Sequence, residues 1–236
     1  MKTIGLIGGM SWQSTRVYYD LLNEAVAAAR GGLHSAEILM RSVDFAGLEA
    51  AMRHGDWSGI EARLGDEAAA LVAGGADCLL LCTNTMHKLF DGIAARVDVP
   101  FFHIADPLGQ TLAADGLAQV GLLGTRFTLV EDFYATWLME RFGIGTIVPD
   151  EEQIAAIDRV IFSELCRGEV RNESRDVYLR IMDDLASRGA EGIILGCTEI
   201  EMLVKPDHHH LPLYDTTKLH AVHAVEWALA DESPEP

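Results

Sequence analysis

The sequence predicts an α/β protein made of two similar parallel-sheet domains, and three observations carry that expectation. Short apolar runs alternate with amphipathic helical stretches, the pattern of parallel strands joined by crossover helices. Gly75-Ala76-Asp77 and the apolar run after it are echoed by Gly189-Ala190-Glu191 and its own run, 114 positions on (189 − 75 = 114). Ile4-Gly5-Leu6-Ile7-Gly8-Gly9 is echoed by Val120-Gly121-Leu122-Leu123-Gly124-Thr125 at an offset of 116 (120 − 4 = 116). Two separate segments with nearly the same offset read as two copies of one α/β half. The halves are expected to be related by a pseudo-two-fold axis, with an active site in the cleft between them.

Residues 3–8 read as a buried first strand. Residues 11–30 follow as a helix, because Val17, Leu21, Leu22, Ala25 and Val26 recur at helical spacing and Gly31-Gly32 stop it. Residues 37–43 make the second strand, and 55–73 a turn and an amphipathic helix ended by Gly74-Gly75. A strand at 78–83, a helix at 87–96 and a strand at 100–104 complete the first half. The second half reads as helix 106–115, strand 119–124, helix 130–141, strand 145–148, helices 150–166 and 173–187, and strand 192–196. Residues 205–210 form a loop, 211–214 a last short strand and 217–230 a closing helix. If that helix returns to the first half, the first domain is 1–105 plus 212–230 and the second is 106–211, with 231–236 a disordered tail.

A chain of 236 residues can bury a substantial core. The net charge of −18 leaves no basic stripe to displace counterions from phosphates, which excludes a nucleic-acid partner. Small acidic ligands are not excluded, since a few local donors suffice for them. No apolar run approaches a membrane span, and the N-terminal residues are too short and Gly-broken for a signal peptide. Four cysteines without a CxxC pair fit free thiols in a reducing cytoplasm better than a zinc or dithiol site. The contiguous His208-His209-His210 cannot easily wrap one ion, so no metal is assigned. The GxGxxG spacing is absent, so no dinucleotide is assigned either. Cys166, beside Ile161, Phe162 and Leu165, reads as core.

In parallel α/β sheets ligands sit beyond the carboxyl ends of the strands. The internal alignment puts Thr83 on Cys197 at two such ends (197 − 83 = 114). Proton-transfer groups on opposite faces of one carbon are what inversion of a stereocentre requires, and Thr83 and Cys197 are the candidate pair. Asn84, Thr85, Thr125 and Thr198 offer donors for a carboxylate, and Met10 closes the first strand-end loop. Glu199 reads equally as an acceptor for an ammonium group or as a helix N-terminal carboxylate. His87 reads as packing or capping.

Gly5-Leu6-Ile7-Gly8-Gly9-Met10, Thr83-Asn84-Thr85-Met86-His87 and Gly196-Cys197-Thr198-Glu199 together resemble the aspartate/glutamate racemase family, over residues 2 to about 227. The resemblance implies an amino-acid racemase that uses no pyridoxal phosphate or other cofactor. It implies a small amino-acid or dicarboxylate substrate, aspartate or glutamate first, and a cytoplasmic homodimer. Relatives with other chemistry include maleate isomerases, hydantoin racemases and decarboxylases, and a two-lobed binding protein that has lost a base is the non-enzymatic alternative. The family usually reads Cys-Asn-Thr where this chain reads Thr83-Asn84-Thr85. Cys82 is one residue early and should point to the opposite face of its strand, unless a bulge turns it. A threonine is a poor base whereas a thiol lowered by a helix N-terminus can ionise, so one enantiomer is expected to be used much faster than its mirror image. Arg41, Arg53 and Arg126 are candidates for the substrate's distal carboxylate.

Overall fold

The computed structural model describes residues 1–230, so the expected tail lies outside the described residues. The chain divides into two compact units: Met1–His103 together with the chain from His220 on, and Ile104–Leu219.

The first unit contains β1 (Ile4–Gly8), α1 (Trp12–Arg30), β2 (Ile38–Ser42), α2 (Phe45–His54), α3 (Trp57–Ala73), β3 (Cys78–Leu81), α4 (Phe90–Ala94) and β4 (Phe101–Phe102). The second contains α5 (Ala105–Ala114), β5 (Gln119–Gly124), α6 (Arg126–Val130), α7 (Phe133–Phe142), β6 (Gly145–Ile147), α8 (Glu151–Ser163), α9 (Asn172–Ser187), β7 (Ile193–Gly196), α10 (Ile200–Leu203) and β8 (Leu213–Asp215). The helix α11 (Thr216–Leu229) begins in the second unit and ends in the first.

Each unit is built on one four-stranded parallel sheet, in the orders β2-β1-β3-β4 and β6-β5-β7-β8. Every residue of β1, β3 and β7 is buried, which is why these strands read as unbroken apolar runs. The cores are separate. Ile4, Leu6, Tyr18, Leu22, Cys78, Leu80 and Ala224 belong to the first. Leu122, Tyr134, Ile157, Tyr178, Leu185 and Ile194 belong to the second.

The two halves repeat each other down to individual hydrogen bonds. Gly75 and Gly189 both take φ of 99°, a conformation that L side chains rarely adopt. Asp77 N donates to Thr3 O at 2.8 Å, and Glu191 N to Gln119 O at 2.9 Å. The acid then reaches back: Thr3 N donates to Asp77 Oδ2 at 2.7 Å, and Gln119 N to Glu191 Oε2 at 3.1 Å. Two backbone N–H groups, of Ala118 and Gln119, hold the Glu191 carboxyl below its usual range. The Gly-Ala-acid signature therefore clamps the start of each outgoing strand to the strand beside it.

Three sequence expectations need correction. The first domain does not resume at 212, because Leu213–Asp215 pairs with β7 in the second sheet and the unit boundary falls after Leu219. The helix expected over 150–166 stops at Ser163, and Leu165–Arg167 forms a separate 3-10 turn closed by Gly168. A whole helix, α2, went unread, although Asp44 caps it, Leu48 and Met52 are its buried positions and Gly55 ends it.

Candidate active site

In the first unit, two adjacent strands end in buried polar turns. After β1, Gly9 N donates to Thr15 Oγ1 at 2.7 Å, and Ser11 caps α1 by accepting from Ser14 N at 3.3 Å. Met10, between them, is buried. After β3, Thr83, Asn84 and Thr85 are buried although all three are polar, with Thr83 8% exposed. Thr83 N folds back onto Leu81 O at 2.8 Å. His87 fixes this turn by donating Nδ1–H to Thr83 O at 2.8 Å. Burial lowers the His87 pKa to about 4, so the ring is neutral and serves as a brace.

The strand pleat decides the place of Cys82. Cys78, Leu80 and Cys82 lie together in the first core, and Cys82 is fully buried there. Burial alone pushes its thiol well up.

The second unit repeats the arrangement with different chemistry. Thr125 caps α6 by accepting from Thr128 N at 3.4 Å, and the two hydroxyls lie 3.2 Å apart. Gly124 pairs in register with Gly196, so the turns after β5 and β7 start side by side. A Cβ at Gly196 would lie 2.7 Å from Leu123 O, so the residue before Cys197 has no room for a side chain. Cys197, Thr198 and Glu199 follow, all buried. The Glu199 carboxylate accepts three hydrogen bonds: Cys197 Sγ at 3.0 Å and Thr198 Oγ1 at 2.7 Å on Oε2, and Cys166 Sγ at 3.6 Å on Oε1.

Here the structure reverses an expectation. The sequence allows a helix N-terminus to lower the Cys197 thiol towards a thiolate. Burial raises it well above the ordinary thiol value, and the neighbouring Glu199 and Cys166 raise it further. The helix that follows, α10, has four residues, too few to oppose a carboxylate at hydrogen-bond distance. Cys197 is therefore a thiol at rest, held by a carboxylate.

The three candidate arginines are each occupied by an acid: Arg41 by Glu67 at 2.6 Å, Arg126 by Glu151 at 2.6 Å, and Arg53 by Glu49. Two of the three loop histidines bind backbone. His208 Nδ1 accepts from Lys205 N at 3.0 Å, and His209 Nδ1 from Leu211 N at 3.2 Å. His209 Nε2 then carries the ring proton and donates to Asp183 at 3.2 Å. Asp183, His209 and His210 bring possible ligand atoms within 4.8 Å of one another, yet a cation at His209 Nε2 would need the lone pair that this proton occupies.

Sequence reasoning missed two features of this end of the second sheet. Cys166 packs against the second core, as its pattern predicts, and its thiol also reaches Glu199 from the 3-10 turn after α8. Glu201 shares a hydrogen bond with Asp215 at the end of β8, and burial first and that neighbour second raise its pKa to about 9. Neither carries a motif, because each depends on distant segments meeting. Among the described residues, no helix is long and apolar enough to cross a membrane.

The family model for Asp/Glu/hydantoin racemases matches residues 7–224. A crystal structure of a candidate Asp/Glu racemase from Yersinia pestis is 44% identical, covers 97% of this chain and 100% of its own, and superposes with a TM-score of 0.90. An aspartate racemase homologue from Pyrococcus horikoshii is 32% identical, with coverages of 97% and 99% and a TM-score of 0.84. A glutamate racemase of Persephonella marina is 24% identical over 155 residues, which are 63% of this chain and 57% of that protein. The chain thus spans little over half the length of that curated relative. With most of its length matched by the family model, the chain belongs to the Asp/Glu/hydantoin racemase family.

Proposed function

We propose that this protein is a cofactor-independent amino-acid racemase acting on aspartate or glutamate. Cys197 and Thr83 are the groups that exchange a proton with the two faces of the substrate's α-carbon. The reading rests on family membership and on one observation above all. The two residues occupy equivalent positions of two repeated units, each one turn past a buried inner strand of its sheet. Met10, Asn84, Thr85, Thr125 and Thr198, from the same strand-end turns, are the proposed contacts for the substrate's polar groups, and Glu199 belongs to the same site. By the resemblance read from its motifs, the enzyme is further proposed to work as a cytoplasmic homodimer.

Proton removal is the harder half of the reaction. Cys197 becomes a base only after losing the proton it holds at rest, and Thr83 suits the return of a proton to a carbanion better than its removal. The test is chiral chromatography and Cα deuterium analysis of aspartate and glutamate incubated in deuterated water with wild type, Cys197→Ala and Thr83→Ala. The proposal expects inversion with deuterium uptake in wild type, and loss of inversion in both variants. Wild-type enzyme that leaves every amino acid unexchanged would sink it.

One observation favours a second reading. A buried thiol that rests protonated is a ready proton donor, and decarboxylation of a small dicarboxylate needs one such donor. Release of carbon dioxide from a dicarboxylate panel, without racemisation, would favour that alternative.

A further inference from the structure

We propose that Arg175 is a positioning residue for Cys197: it closes the short helix after the thiol and so holds the turn that carries it. The inference rests on the assignment of Cys197 as a proton-transfer group. It goes beyond that assignment, because neither the repeated strand ends nor the motifs give α9 any part in the site.

The argument starts from α10. Four residues are too few for a helix to hold itself, since forming the first turn is unfavourable until further bonds follow. Its backbone bonds nevertheless lead straight back to the thiol's own residue. Val204 N donates to Ile200 O at 2.9 Å, and Ile200 N to Cys197 O at 3.0 Å, with Met202 N on Glu199 O at 3.1 Å beside them. The helix ends at Leu203, a fully buried residue whose carbonyl lies in the last turn and needs a partner from outside. Arg175 supplies it. Its Nε–H donates to Leu203 O at 2.7 Å, across 28 positions of sequence.

The guanidinium is aimed rather than loose. Arg175 stands in the first turn of α9, and its Nη1 donates to Asn172 Oδ1 at 2.9 Å. One position earlier, Ser174 Oγ donates to Glu164 at the end of α8 at 2.6 Å, so this turn is itself tied down. Arg41, Arg53 and Arg126 are taken up by acids, whereas Arg175 pairs with no carboxylate among the described residues. A charged, planar donor on one backbone carbonyl fixes the path of the chain. The first unit reaches the same end by another route, with His87 donating to Thr83 O from inside its own turn. Each strand-end turn is thus closed by a side chain on a backbone carbonyl, and in the second unit that side chain comes from a neighbouring helix.

Without Arg175, Leu203 O loses its partner and α10 frays back towards Cys197. Misplacing a reacting group by about 1 Å is enough to slow a reaction on the order of 100-fold. The test uses the full-length protein and two substitutions of matched length. Arg175→Met keeps the stem and removes the donor. Arg175→Gln puts an amide nitrogen as many bonds from the backbone as Nε, which restores the donor without the charge. Turnover is followed by Cα deuterium uptake from aspartate and glutamate. Amide hydrogen exchange is read over 197–204 and, as a control, over β5.

In Arg175→Met, kcat is expected to fall about 10- to 100-fold, the scale of one hydrogen bond from a charged group, with KM within about threefold of wild type. Exchange over 197–204 should quicken by a similar factor while β5 stays protected. Arg175→Gln should recover most of both losses. Asn172→Ala, which only frees the guanidinium's aim, should shift both readouts the same way by about 2- to 10-fold, and it decides the matter if Arg175→Met does not fold.

Unchanged kcat together with unchanged exchange over 197–204 overturns the proposal. So does a rise in KM alone, or Arg175→Gln as slow as Arg175→Met, since either marks a charge that binds substrate. Exchange that quickens equally in β5 marks a general loss of stability and overturns it too. If the wild type exchanges no Cα proton, the racemase reading fails, and exchange over 197–204 alone still decides whether Arg175 holds the turn.

Discussion

The ends of β3 and β7 are the same piece of structure with different chemistry. Both leave an inner strand of a four-stranded parallel sheet, both follow a Gly-Ala-acid clamp, and both carry three buried polar residues. They differ in what supports them. Thr83 is held through its backbone by a buried, neutral His87, whereas Cys197 is held through its side chain by Glu199. The first support fixes position through the backbone. The second also sets where a proton resides. One repeat thus keeps a placed hydroxyl and the other a placed thiol–carboxylate pair, which makes the two strand ends chemically unequal.

The largest expected effect breaks the comparison at its strong side. Cys197→Ala should reduce inversion by about 100- to 10,000-fold, the usual contribution of a positioned acid or base, as read by chiral chromatography. Thr83→Ala should also abolish inversion yet leave part of the deuterium uptake through Cys197. Thr83→Cys sharpens the contrast by giving both ends a thiol, and it should bring uptake from the two enantiomers closer together.

Next in size is packing under each end. Cys82 and Gly196 are equivalent positions, and only the second lacks space. Gly196→Ala sets a Cβ 2.7 Å from Leu123 O and should cost about 1–3 kcal/mol of stability in urea denaturation. Cys82→Ala should leave inversion within about threefold of wild type, because its side chain lies in the core, away from the turn. A loss as large as that of Cys197→Ala would return the catalytic position to Cys82.

Acid should tell the two ends apart as well. His87 has a folded pKa of about 4, below its ordinary value of 6.5, so its stabilising contribution is present above pH 6.5. It is lost as pH falls from there towards 4, since the unfolded chain takes up the proton first. The lost contribution approaches about 3 kcal/mol at most. His220, buried in the same unit between Tyr18 and Phe102 O, is lowered as well and adds in the same direction. Amide hydrogen exchange at pH 7 and pH 5 should show the first unit loosening more than the second.

How far the sequence reached depends on the range of the interaction. The repeat was legible because strand ends and Gly turns are local: Gly75 and Gly189 announce themselves by residue type, and their φ values match. The burial of Cys82 in the first core was legible from the two-residue period of a strand. The cap at Asp44 and the stop at Gly55 were equally local, and α2 was missed because its small Ala and Gly positions blur the apolar stripe. What no local pattern contains is the environment of Cys197. Its pKa direction depends first on burial, then on Glu199, two residues on, and on Cys166, thirty-one positions earlier (197 − 166 = 31), reached only after the chain folds. A nearby short helix suggested a lowered thiol, and burial beside a carboxylate gave a raised one.

That reversal also refines what an unequal site must do. Enantiomers have equal free energies, so kcat/KM for inversion must be the same from either side, however different the two groups are. The inequality has to show as proton exchange without inversion. Under the proposed roles, a substrate whose Cα–H meets Cys197 loses it and regains deuterium from the same face many times before Thr83 completes an inversion.

The ratio of Cα deuterium uptake to inversion, measured from pure L and from pure D substrate in deuterated water, tests this most directly. The account predicts a ratio well above one for one hand and near one for the other. Equal ratios for both hands would mean that the two strand ends act alike, and would contradict it.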